Sequence, residues 1–118
     1  MDRAQQSAAG EQELLYEVRD RIGFVTFNRP QARNALTFGM YDRVAEICAN
    51  APTDGSVMAI VITGAGDRAF AAGTDISLFR DFRTPEQGMA YEKHADEIMT
   101  AIESCPVPTI AAIAGACT

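Results

Sequence analysis

Apolar and polar residues alternate in part through Leu14-Leu15-Tyr16-Glu17-Val18 and again through Ile22-Gly23-Phe24-Val25-Thr26-Phe27, on either side of Arg19-Asp20-Arg21. This predicts two antiparallel strands joined by a short turn, with Asn28-Arg29-Pro30 stopping the second. From Thr37 the period lengthens. Met40, Val44, Ile47, Cys48 and Ala51 recur at helical spacing, predicting an amphipathic helix that Pro52 and Asp54-Gly55 close. Its apolar stripe reads as core. Residues 57–63 form an almost unbroken apolar run, which predicts a strand buried on both faces, and Gly64-Ala65-Gly66-Asp67 ends it.

Further on, Thr84-Pro85-Glu86-Gln87 supplies an N-cap, an N1 proline and a capping-box glutamine. Tyr91, Ala95, Ile98, Met99 and Ile102 then share one helical face, so this is the best-signalled helix in the chain. Pro106 and Pro108 break it, and residues 109–114 read as another short buried strand before Gly115-Ala116-Cys117-Thr118. The order strand pair, helix, strand, loop, helix, strand is that of an α/β fold without internal repeats or a dividing linker. Residues 1–11 are polar, aperiodic and expected to be disordered, leaving 12–118 as one structural unit. A buried strand followed by four small residues leaves apolar surface uncovered, so the sequence reads as part of a longer protein.

The composition of 118 residues, 47% hydrophobic and 22% charged, is that of an ordinary soluble domain. A net charge of −6 argues against nucleic acid or an anionic membrane as partner, because phosphate backbones need clustered Lys and Arg. Any anionic ligand is then held locally. Cys48, Cys105 and Cys117 are odd in number and lack metal-type spacing. No apolar run has the length of a membrane span or signal sequence, and the expected setting is reducing and cytoplasmic.

Chemistry concentrates in Ala69-Phe70-Ala71-Ala72-Gly73-Thr74-Asp75-Ile76, where a bare backbone meets what reads as the first turn of a helix. Free amides at such a turn can hold a developing negative charge, the requirement of an oxyanion hole. An ordinary loop capped by Thr74 or Asp75 fits the same eight residues. As a proton carrier Asp75 is the weaker reading, since an acidic residue is expected in a first turn for capping alone. Asp81, Glu92, His94, Asp96 and Glu97 read as a solvated surface. Gly64-Ala65-Gly66-Asp67-Arg68-Ala69 after a buried strand also satisfies a loose dinucleotide-binding fingerprint, which would require a helix to open at that turn.

Together with Asn28-Arg29-Pro30-Gln31-Ala32-Arg33-Asn34-Ala35-Leu36, the 69–76 segment resembles the crotonase family, the enoyl-CoA hydratase/isomerase superfamily. The separation of the two segments and the run from Pro106 to Gly115 resemble that family as well. The resemblance implies the first, N-terminal part of a crotonase-like spiral of ββα repeats. It implies an acyl-CoA thioester ligand, with coenzyme A part of the substrate and neither a separate cofactor nor a metal. In the family the residue after this glycine gives one of two backbone amides to the thioester oxygen, which makes Thr74 the donor. Ala32, Arg33, Ala35 and the Ala72 carbonyl resemble the surface that holds coenzyme A, and Arg33 is placed to meet a phosphate. Gly73, Asp75 and Ile76 complete the substrate-binding segment.

Many relatives carry alanine where this chain has Thr74, so its hydroxyl is expected to cap the next helix or to narrow the acyl site. Phe79, Phe82 and Met89 fall where many relatives shape an acyl pocket, although ordinary packing is the stronger reading for them. The family's second amide and its acid/base carboxylates belong to positions after Thr118, and these 118 residues alone are therefore expected to be inactive. Enoyl-CoA hydration, as in fatty acid metabolism, is the default reaction. Enoyl-CoA isomerisation, carnitinyl-CoA dehydration and a non-catalytic acyl-CoA-binding or assembly subunit are the alternatives. A full-length member implies a homotrimer or hexamer.

Overall fold

The computed structural model describes residues 13–118; the tail expected over 1–11 and the domain start at residue 12 lie outside the described residues. Strands β1 (Leu14–Arg19) and β2 (Ile22–Phe27) form an antiparallel hairpin. Asp20 and Arg21 both have positive φ, 51° and 67°. That is the backbone a two-residue primed turn demands, and it fixes the register that pairs Leu14 with Phe27. Gly23, Val25 and Phe27 are buried while their neighbours are half-buried, so β2 shows one inward face.

Helix α1 (Phe38–Ala49) follows, with Thr37 as N-cap accepting from the Met40 N–H at 3.2 Å. It returns the chain to β3 (Ala59–Gly64), which runs parallel to β2. Met40, Val44, Ile47 and Cys48 bury the helix stripe against Leu14, Val25 and Ile60, forming the core. Cys48 is fully buried, and burial pushes its thiol up to about 11, as suits a core residue. A short strand β4 (Ala69–Ala71) precedes helix α2 (Pro85–Glu103), whose capping box at Thr84 and Gln87 forms as expected. Strand β5 (Thr109–Ala112) pairs parallel with β3, and β6 (Ala116–Cys117) pairs parallel with β4. One sheet has the order β1-β2-β3-β5; the other is the pair β4-β6.

Three expectations change. Residues 57–63 are not buried on both faces: within β3 only Ile60 is buried, because α1 covers one side of the sheet. Residues 109–114 are exposed, since β5 is the edge of the sheet and Ile110 and Ile113 remain 50% and 54% accessible. No α-helix opens at Thr74 or Asp75. A 3-10 turn over Ile76–Phe79 takes its place, with Asp75 accepting from the Ser77 N–H at 3.0 Å, and no macrodipole of a full helix points at residue 74.

Candidate functional site

The segment after β2 is held by its own backbone and by two side chains. Arg33 and Asn34 both adopt left-handed φ, 53° and 58°, and reverse the chain just after Pro30–Ala32, a 3-10 turn. Asn34 is the one buried polar residue among the described residues. Its Oδ1 accepts from the Arg29 N–H at 2.9 Å, and its Nδ2 donates to the Ala65 and Ala69 carbonyls at 3.1 and 2.8 Å. A single amide thus joins the segment after β2 to the segment after β3. Arg29 adds a second tie: its Nη1 donates to the Ala35 carbonyl at 2.6 Å and to Asp75 Oδ2 at 3.2 Å.

Across from this segment, Gly73 has φ of +85° and turns the chain out of β4. Leu36 N–H donates to the Gly73 carbonyl at 2.8 Å, and Asp75 N–H donates to the Leu36 carbonyl at 2.9 Å. In this parallel bridge the groups flanking Thr74 face Leu36. Thr74's own N–H points the other way and has no acceptor among the described residues. Strand β6 runs alongside: Thr118 N–H donates to the Ala71 carbonyl at 3.0 Å, and the Thr118 carbonyl lies 4.0 Å from the place a Gly73 Cβ would occupy.

The Thr74 hydroxyl neither caps a helix nor stands free. It shares a 2.6 Å hydrogen bond with the Tyr41 hydroxyl of α1. Capping falls instead to Asp75, whose carboxylate also accepts from the Ser77 hydroxyl at 2.7 Å. The Ser77 hydrogen bonds, with the Arg29 guanidinium behind them, hold the Asp75 carboxyl below its ordinary value. A carboxylate so fully engaged is a structural anion, not a base awaiting a proton.

Three cavities surround this frame. One of about 250 Å3 is lined by Pro30, Arg33, Asn34 and residues 65–69, so that Arg33 and Arg68 share its wall. A second, about 310 Å3, is mostly apolar and reaches Leu36, Tyr41, Ala71 and Thr118. The third and largest, about 520 Å3, lies between α1 and α2. Phe38, Phe79, Phe82 and Tyr91 stack edge-on and tilted beside it, with centroids 4.9–6.4 Å apart. His94 sits on its rim, bonded to Asp42.

The structure brings Ala35 and Leu36 next to Gly73, Thr74 and Asp75, while Ala32 stays in the 3-10 turn and Arg33 shares a cavity with residues 65–69. Phe82 lines the large cavity, while Met89 is 68% exposed. Ile76 is 82% exposed. Sequence reading missed Arg29, Asn34, Tyr41 and Arg68 as parts of the site. Asn34 stands between Arg33 and Ala35, where no apolar period marks it as buried. The dinucleotide alternative fails on its own requirement, because after Gly64 the chain enters β4 and no helix opens at that turn.

Among the described residues no helix is long and apolar enough to cross a membrane, and no group of three or more His, Cys, Asp or Glu residues is arranged to hold a metal ion. The profile of the family described as "Enoyl-CoA hydratase/isomerase" matches residues 17–118. The chain is 36% identical over 105 residues to 3-hydroxyisobutyryl-CoA hydrolase, mitochondrial, of Bos taurus, covering 87% of this chain and 27% of that protein. It is 31% identical over 102 residues to short-chain-enoyl-CoA hydratase of Clostridium acetobutylicum, covering 86% of this chain and 39% of the relative. Among solved structures, an enoyl-CoA hydratase/carnithine racemase from Magnetospirillum magneticum superposes with a TM-score of 0.78 at 36% identity, covering 87% of this chain and 39% of the other. The chain spans about a quarter to two fifths of the length of these proteins. With fold, site segments and relatives in agreement, the chain belongs to the enoyl-CoA hydratase/isomerase family, and matches its N-terminal part.

Proposed function

We propose that this chain binds an acyl-CoA thioester and that the Thr74 backbone N–H donates to the thioester oxygen. The observation that carries the reading is that amide, without an acceptor among the described residues, beside a glycine whose missing side chain leaves room for a carbonyl. As negative charge moves onto the oxygen in an enolate or tetrahedral intermediate, the donor is already in place. One such donor typically lowers the barrier by about 3 kcal/mol. Arg33 and Arg68 on one cavity wall supply cationic groups for a phosphate of coenzyme A, which is part of the substrate, so no separate cofactor is needed.

The reaction we assign to the whole protein is hydration of a 2-enoyl-CoA, with isomerisation and thioester hydrolysis sharing the same charged intermediate class. The described residues offer no proton carrier at the amide: Asp75 is engaged by Ser77 and Arg29, and His94 is engaged by Asp42. We accordingly propose that residues 1–118 alone bind and do not turn over, that the whole protein is a cytoplasmic enzyme, and that it assembles as a trimer or a pair of trimers. Calorimetric titration of the chain with butyryl-CoA, followed by an assay for loss of the enoyl thioester's ultraviolet absorbance, tests this. Binding without turnover is expected; absence of any heat with coenzyme A or butyryl-CoA would sink the reading.

A further inference from the structure

Tyr41 stands at a junction that the assignment above does not use. Its side chain lines the cavity of about 310 Å3 that reaches Ala71 and Thr118, and also lines the apolar chamber of about 520 Å3 between α1 and α2. Met99 is the other residue common to both, but it is unbranched, flexible and half exposed. Tyr41 is fixed. Its hydroxyl is held at 2.6 Å by the Thr74 hydroxyl, on the residue whose amide is free.

We propose that Tyr41 is the acyl-length determinant of this site: latched by Thr74, its ring closes the way from the Thr74 amide to the chamber between α1 and α2. This rests on the acyl-CoA reading above. With the latch shut, an acyl chain is confined to the smaller cavity, and the substrate class is short-chain acyl-CoA. The chamber behind the ring, walled by Phe38, Phe82, Ala95 and Ile98, is apolar enough to take a longer chain once the ring is gone.

Calorimetry with coenzyme A, butyryl-CoA, octanoyl-CoA and dodecanoyl-CoA on the unaltered chain, Tyr41→Ala and Thr74→Ala tests the inference. The unaltered chain is expected to bind octanoyl-CoA no more than about threefold tighter than butyryl-CoA. Each methylene newly buried in Tyr41→Ala adds about fourfold, so its octanoyl-to-butyryl ratio rises at least about tenfold above that of the unaltered chain. Thr74→Ala frees the ring and keeps the backbone amide, and gives a smaller rise. A graded gain with length in the unaltered chain, or an unchanged ratio in a folded Tyr41→Ala, overturns the inference and leaves acyl-CoA binding intact. If Tyr41→Ala does not fold, an unchanged ratio in Thr74→Ala overturns it. Failure of the unaltered chain to bind coenzyme A or any thioester defeats the acyl-CoA reading, and the inference with it.

Discussion

Asn34 holds together two loops that lie about thirty residues apart. Its amide is buried, and each of its polar atoms has a partner on a different stretch of backbone. Replacing it with alanine leaves the Arg29 N–H and two carbonyls without these partners in a largely buried setting. The expected loss in Asn34→Ala is about 3 kcal/mol, read as a lower urea midpoint at unchanged slope. A midpoint shift within error would show that the loops are held by something else. Gly64 explains why the amide fits: a Cβ there would lie 2.7 Å from Asn34 Nδ2 and 2.4 Å from the Phe70 carbonyl. Glycine lets the two strands' ends touch. At this scale the sequence was only partly legible. Gly73 and Thr74 could be picked out because a small residue beside an amide has a chemical meaning at once. Arg29 and Tyr41 could not, because their roles depend on partners 46 and 33 positions away.

Among the elements, the helices were the most readable. Thr84, Pro85 and Gln87 specify an N-terminus through bonds no longer than four residues in reach, and the same residues form those bonds in the structure. Strand β4 escaped notice because Ala69-Phe70-Ala71 is too short to show a period, and its partner β6 comes only at residue 116. How the two helices are tied could not be read either. His94 Nε2 of α2 meets Asp42 Oδ1 of α1 at 2.5 Å, and Nδ1 lies 3.5 Å from Glu97. The Asp42 hydrogen bond, then its charge and that of Glu97, hold the imidazolium above its ordinary 6.5. A raised folded-state value means stabilisation that is complete below pH 6.5 and lost as pH rises through the folded-state value. In His94→Gln the stability deficit should therefore be largest at mildly acid pH and vanish at alkaline pH. Both side chains are more than half exposed, so the deficit is at most about 1 kcal/mol. Thermal melts across that range check it; a deficit that grows toward alkaline pH would refute the tie.

For the molecule as a whole, β2, β3 and β5 run parallel, and the loops carrying residues 28–36, 64–75 and 113–118 all leave their carboxyl ends or the strand beside them. Ligand sites of open α/β sheets gather at that edge, and the proposed thioester site lies there too. Apolar surface is also left open. Met99, Ile110 and Ile113 are each about half exposed, in a chain of net charge −6. Such surface should bind a hydrophobic dye, and Ile110→Lys with Ile113→Lys should cut the fluorescence severalfold while leaving the melting temperature nearly unchanged. Equal fluorescence would mean that the dye sits elsewhere. Apolar runs at 57–63 and 109–114 read alike in sequence, since a run reports what a residue prefers and not whether a neighbour covers it. The Leu36–Thr74 bridge has one more effect. Its partners lie 38 positions apart, so the loop between them must close before the amide of Thr74 acquires its direction. The amide is then oriented by a long-range contact, and any ligand that uses it adds its binding free energy to folding. Saturating such a ligand at a hundred times its Kd would raise stability by about 2.7 kcal/mol, making thermal shift a screen for what this protein holds.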